Sequence, residues 1–156
     1  MTLDGRTRML GLLGAPIGHS LSPRIQNHAL QRLHENLVYL PFELAEEDLP
    51  AFLEIFPRMG GLGLNVTTPY KRRVGLLVRP GEDEVVATGI VNTVRFVGNE
   101  AIGHATDGRG LLSWMKANAI SIPEGGLVLL GFGATARSIA YNLALHDGAT
   151  VVTRRP

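Results

Sequence analysis

The 156-residue chain contains no cysteine. That removes disulfide frameworks, thiolate nucleophiles and Cys-ligated metals together, and it fits a cytoplasmic protein. The five histidines are scattered without HxxxH or HxH spacing, so no metal site is expected. Long apolar runs are missing as well. The N-terminal MTLDGRTRMLGLLGAPIGHS sets arginines before an apolar run, as a signal peptide does. Gly and Pro break that run and His19 ends it, so an opening strand is the expectation. No stretch is long enough to cross a bilayer as a helix, and no membrane partner is expected. The net charge is only +1 and aromatics make up 6%, so there is no basic, aromatic-laced face to read nucleic acid. Two small basic clusters stand out locally, Lys71-Arg72-Arg73 and Arg154-Arg155.

Apolar residues form 45% of the chain, enough for a core in one domain, or in one domain and part of another. Strand and helix signals alternate. MLGLLG (9–14) reads as a buried strand. Ser22 and Pro23 follow as an N-cap and first helical residue, with Ile25, Ala29, Leu30 and Leu33 as the apolar stripe of the helix. LVYLPFEL (37–44) is a second strand, which Pro41 pushes to a sheet edge. EEDLPAFLEIF (46–56) is a helix with acids in its first turn. GLGLNVT (61–67) is a third strand, and PYKRRVGLLV continues as a helix. GIVNTVRFVGNEAIGHAT (89–106) alternates on both sides of Gly98-Asn99, the pattern of a β-hairpin. DGRGLLSWMKANAI (107–120) is an amphipathic helix opened by Asp107.

After the turn-rich SIPEGG (121–126) the texture changes to a single strand–turn–helix–strand unit, GLVLLGFGATARSIAYNLALHDGATVVTRR. The fold class expected is therefore α/β. An α/β domain with a largely parallel sheet spans 1–105, and 106–156 hold a connecting helix and the opening βαβ of a Rossmann-type domain.

GFGATA (131–136) has the context that makes a GxGxxA pattern informative, directly after an apolar strand and directly before a helix. Gly131 permits the turn, Gly133 lets backbone approach a pyrophosphate at the helix N-terminus, and Ala136 is small where helix meets sheet. About twenty residues on, an NAD site places an acid for the ribose 2′-hydroxyl. Here Thr153, Arg154 and Arg155 stand instead, and guanidinium suits a 2′-phosphate that a carboxylate would repel. The expected cofactor is NADP, held by Gly131, Gly133, Ala134, Thr135, Ala136, Thr153, Arg154 and Arg155.

Polar residues also stand where strands end: Ser20 and Ser22 in GHSLSP, Asn65, Thr67 and Lys71 in NVTTPYK, Asn92 and Thr93 in VNT, and Asp107 in HATDG. In open α/β sheets, ligands bind beyond the carboxyl ends of strands, so these groups can converge on one crevice. Taken singly, each has an ordinary structural role open to it, as a cap or a solvated helix residue.

GAPIGHSLSP, GLNVTTPYK, GIVNTV and TDGRG, in this order, resemble the shikimate dehydrogenase family, and GFGATARSIAYNLA with the basic end of the next strand fits its NADP domain. The resemblance implies a two-domain enzyme interconverting 3-dehydroshikimate and shikimate. It implies that Ser20 and Ser22 hold the substrate carboxylate, that Asn65 and Thr67 line the pocket, and that Asn92 and Asp107 bond ring hydroxyls. Lys71 and Asp107 become the catalytic pair. The physics agrees, since oxidising a secondary alcohol requires a proton to be removed as hydride leaves, and an oriented lysine can relay it. The partner implied is a small hydroxylated ring acid, with a homodimer left open.

The chain departs from the family pattern at Ala105, where Asn is usual, at Ile90, where Ala is usual, at His104, and at Phe132 in the glycine turn. These leave open a paralogue acting on quinate or a similar acid, or a non-catalytic hydroxy-acid-binding module. A complete domain of the second kind needs roughly six strands and this chain supplies two. The 156 residues are therefore expected to be a fragment, a truncated product or the visible part of a longer chain; were they the whole protein, weak or absent dehydrogenase activity as a monomer is expected.

Overall fold

The computed structural model describes residues 3–122, 127–144 and 149–152. In chain order the elements are β1 (Arg8–Leu13), α1 (Ser22–Arg32), β2 (Leu37–Phe42), a 3-10 turn (Glu46–Asp48), α2 (Leu49–Arg58), β3 (Gly61–Val66), α3 (Lys71–Gly75) and β4 (Arg79–Pro80). They continue with α4 (Asp83–Thr88), β5 (Thr93–Val97), β6 (Glu100–His104), α5 (Asp107–Ala117), β7 (Leu127–Leu130), α6 (Ala134–Ala144) and β8 (Ala149–Val152).

Six strands form one sheet in the order β2-β1-β3-β5-β6-β4. β1 runs parallel to β2 and to β3, β5 is antiparallel to β3 and to β6, and β4 is parallel to β6. β5 alone therefore opposes the other strands of this sheet. β2 lies at the edge, where the missing N–H of Pro41 is tolerated. β7 and β8 pair in parallel as a second sheet.

The period-two geometry of β1 divides the core. Leu13 joins Leu49, Leu53 and Phe56 of α2 with Leu64, Val66, Val94 and Phe96 on one face. Its neighbour Leu12 points to the other face and packs with Ile17, Leu30 and Tyr39 beneath α1. On the first face Phe42, Phe52, Phe56 and Phe96 stack as tilted or edge-on pairs with centroids 5.1–5.7 Å apart. Phe56 is wholly buried at its centre, and truncation to Ala is expected to cost about 3–5 kcal/mol.

Several local expectations change. Ser22 is already helical and Leu21 precedes the helix as its cap residue; the Ser22 N–H donates instead to Ser20 Oγ, 3.2 Å away. Of the expected apolar stripe of α1, only Leu30 is buried, while Ile25, Ala29 and Leu33 face outward. The helix is fastened by a polar side chain instead. Asn27 Nδ2 donates to the Tyr39 carbonyl at 2.8 Å and Asn27 Oδ1 accepts from the Tyr39 N–H at 2.9 Å, mimicking a strand partner at the sheet edge. The acids Glu46–Asp48 occupy the 3-10 turn before α2 rather than its first turn. α3 stops after five residues at Gly75, where a Cβ would collide with the Gly89 carbonyl. α4 has no counterpart in the sequence reading; Gly89, at φ +67°, closes it and turns the chain toward Asn92.

Candidate functional site

The carboxyl ends of β1 and β3 open onto a cleft of about 750 Å³. Ser20, Ser22, Asn65, Thr67, Lys71, Asn92 and Asp107 all line it, beside His19, Gln26 and Thr68. The fold explains this convergence. The loop after β1 carries Ser20 and Ser22 into the first turn of α1, and β3 delivers Asn65 and then Thr67, whose N–H donates to the Leu13 carbonyl at 2.9 Å. Lys71 opens α3, and its carbonyl accepts the Val91 N–H at 3.0 Å, drawing the Asn92 segment alongside. Asp107 is the first residue of α5, where the helix dipole favours a carboxylate.

In the wall of the cleft Lys71 Nζ donates to Asp107 Oδ2 at 2.6 Å. The two side chains are 13% and 22% exposed, so the pair is partly desolvated and its charge-assisted bond is stronger than a surface ion pair. Asn92, itself buried, donates from Nδ2 to Asp107 Oδ1 at 2.6 Å and to Thr106 Oγ1 at 2.9 Å, and its Oδ1 accepts the Thr106 N–H at 2.8 Å. Asp107 is thereby gripped on both oxygens. Thr106 was not singled out from the sequence, although it stands directly before Asp107.

Asn65 is committed to the protein itself. Its Oδ1 accepts from Tyr39 Oη at 2.9 Å and its Nδ2 donates to Thr93 Oγ1 at 3.3 Å. Burial pushes the Tyr39 phenol up to about 12, so the hydroxyl remains a donor across the physiological range. The Ser22 hydroxyl makes no hydrogen bond among the described residues and lines the cleft.

The glycine turn comes close to this centre. Gly131 holds φ +98°, a conformation side chains other than glycine's rarely adopt. At Gly133, apart from its immediate chain neighbours, no atom of the described residues lies within 4 Å of where a Cβ would stand, leaving open space over the N-terminus of α6. A turn of this form fits a phosphate-bearing cofactor approached by backbone N–H groups. Phe132 is stacked under the Arg137 guanidinium, 4.8 Å from the ring centroid. Thr135, expected among the cofactor contacts, has its Oγ1 within 2.9 Å of Lys71 Nζ and 3.1 Å of Asp107 Oδ2. Thr153, Arg154 and Arg155 lie outside the described residues.

Sequence reasoning missed the buried carboxylate of Glu84. It accepts from Ser138 Oγ on one oxygen and from Asn142 Nδ2 on the other, at 2.9 Å for the amide. No period-based signal reveals such a group, because charged residues are ordinarily assigned to the surface. Among the described residues there is no group of three or more His, Asp or Glu able to hold a metal ion, and no helix long and apolar enough to cross a membrane.

Residues 12–94 match the family model described as the shikimate dehydrogenase substrate binding domain. The chain is 35% identical over 155 residues to the shikimate dehydrogenase (NADP(+)) of Carboxydothermus hydrogenoformans, covering 99% of this chain and 55% of that protein. Among solved structures it resembles shikimate 5-dehydrogenase from Listeria monocytogenes in complex with shikimate and NAD. The TM-score is 0.90 at 31% identity, covering 100% of this chain and 55% of that one. It also resembles the Thermus thermophilus enzyme in complex with NADP(H) and shikimate, with a TM-score of 0.87 at 32% identity over 96% of this chain and 57% of that one. The chain thus spans about half the length of the relatives it matches. A cleft built on HSLSP, NVTTPYK, VNT and TDG, on this sheet and with these relatives, places the chain in the shikimate dehydrogenase substrate-binding domain family.

Proposed function

We propose that this chain carries the substrate site and the opening of the cofactor site of an NADP-dependent shikimate dehydrogenase, interconverting shikimate and 3-dehydroshikimate. The observation that carries the reading is the 2.6 Å Lys71–Asp107 pair lining a cleft that also holds Ser20, Ser22, Thr67 and Asn92. Ser20 and Ser22 bind the substrate carboxylate, Asn65 and Thr67 shape the wall, and Asn92 and Asp107 bond ring hydroxyls. Lys71 takes the proton of the reacting hydroxyl and returns it in the reverse direction, with Asp107 holding its ammonium toward the substrate. NADP, when bound, supplies hydride transfer. Gly131, Gly133, Ala134, Thr135 and Ala136 would hold its pyrophosphate, and Thr153, Arg154 and Arg155 its 2′-phosphate. The division into a substrate domain (1–105) and a Rossmann-type cofactor portion (106–156) belongs to the same reading. So does a cytoplasmic place in aromatic amino-acid biosynthesis.

The test is NADP-dependent oxidation of shikimate by the whole protein, followed as NADPH formation. Lys71→Ala is expected to lower kcat by about 100- to 10,000-fold while shikimate binding survives in calorimetry. Shikimate binding without turnover by the parent protein, or full turnover by Lys71→Ala, would remove the reading. Quinate assayed at equal concentration distinguishes the native ring acid.

A further inference from the structure

α6 presents a polar stripe to the six-stranded unit. Thr135, Ser138 and Asn142 are spaced by three and four residues, which sets them one above another on a single helix face. Ser138 is fully buried, and Asn142 and Glu84 are only 7% and 5% exposed. Glu84 accepts from both of them, and Ser138 Oγ also accepts the N–H of Gly108 at 2.9 Å. Gly108 directly follows Asp107, so the anchor fixes α6 against the helix that bears the acid. A buried polar network with its bonds made holds one arrangement, because any slippage would strand a polar group away from water.

One turn along that stripe, the Thr135 hydroxyl closes a ring with the reactive pair. It accepts from Lys71 Nζ at 2.9 Å and donates to Asp107 Oδ2 at 3.1 Å, while Lys71 and Asp107 are themselves 2.6 Å apart. Resting on the function proposed above, we infer that Thr135 is a positioning residue for the proton-relay lysine, held at the pair by the Glu84–Ser138–Asn142 anchor. A lysine ammonium on a four-carbon stem has many rotamers, and a second fixed acceptor narrows them to those that face the cleft. The glycine turn thereby reaches the reacting centre through a side chain as well as through its backbone. Thr135 itself is exposed, so removing its hydroxyl strands no buried group and leaves the anchor whole.

The test compares Thr135→Val, which keeps the shape and loses the hydroxyl, with Thr135→Ser, which keeps the hydroxyl, both in the whole protein. Val is expected to lower kcat about tenfold with the KM for shikimate within about threefold of the parent, whatever the change in the KM for NADP, and Ser to return kcat to within about threefold. In parallel, the 15N-labelled ζ-ammonium signal of Lys71, assigned by its loss in Lys71→Arg, reports proton exchange with water. That exchange is expected to be at least about threefold faster in the Val variant and near the parent rate in the Ser variant. A raised KM for NADP at unchanged kcat would make Thr135 a cofactor contact alone. Unchanged exchange in the Val variant would equally overturn the inference. A parent protein that fails to oxidise shikimate counts against the proposed function, and the ammonium exchange then decides this inference by itself.

Discussion

Asn92 donates a 2.6 Å hydrogen bond to Oδ1 of Asp107, the carboxylate oxygen opposite the one that Lys71 holds. The amide is in turn pinned by the Thr106 N–H and hydroxyl, so it acts as a rigid bracket for the acid. Asn92→Ala is expected to lower kcat by about tenfold or more, because the carboxyl can then rotate away from Lys71. Steady-state kinetics with shikimate checks this, and a kcat equal to the parent's would show that the bracket is dispensable.

Two glycines in α5 make a controlled pair. A Cβ at Gly108 would run into the Asn142 amide and the Ser138 carbonyl, whereas at Gly110 nothing lies within 4 Å among the described residues. Gly108→Ala is expected to destabilise by about 1–3 kcal/mol through overpacking. Gly110→Ala should instead stabilise by up to about 1 kcal/mol through helix propensity. Urea denaturation of both variants measures the difference; equal shifts would mean that α6 does not press on α5.

Tyr39 sets a limit at alkaline pH. Its phenol is buried, and its folded value of about 12 lies above the ordinary value of 10.0. The unfolded chain therefore releases this proton first. The contribution to stability is complete below pH 10 and falls as pH rises from there through about 12. Tyr39→Phe is expected to flatten that decline while losing the bond to Asn65, so the variant should be less stable at neutral pH and less sensitive to alkali. Urea midpoints taken across the alkaline range decide it, and parallel curves for parent and variant would contradict the prediction.

Much of the architecture was legible because local periodicity reports burial. The alternation through 89–106 yields the β5–β6 hairpin, and the adjacent Leu12 and Leu13 serve opposite faces of the sheet, as a strand requires. α1 was misjudged for a related reason. Its apolar residues suggest a packed stripe, but Asn27 fastens the helix to the backbone of the edge strand and turns Ile25 and Leu33 outward. Propensity and hydropathy carry no record of a side chain that substitutes for a strand.

The sequence by itself determined the alternating α/β order, the glycine turn between strand and helix, and the polar residues at strand ends, since each depends on short-range backbone preference or on period. The family resemblance paired Lys71 with Asp107, and tertiary structure alone brought Thr135 to them. Lys71 and Asp107 are 36 positions apart and Lys71 and Thr135 are 64 apart, yet each pair shares a hydrogen bond. Tertiary structure also decided that Glu84 would be buried rather than solvated. Such contacts depend on distance and donor direction in space, and these are fixed only when the helices have packed.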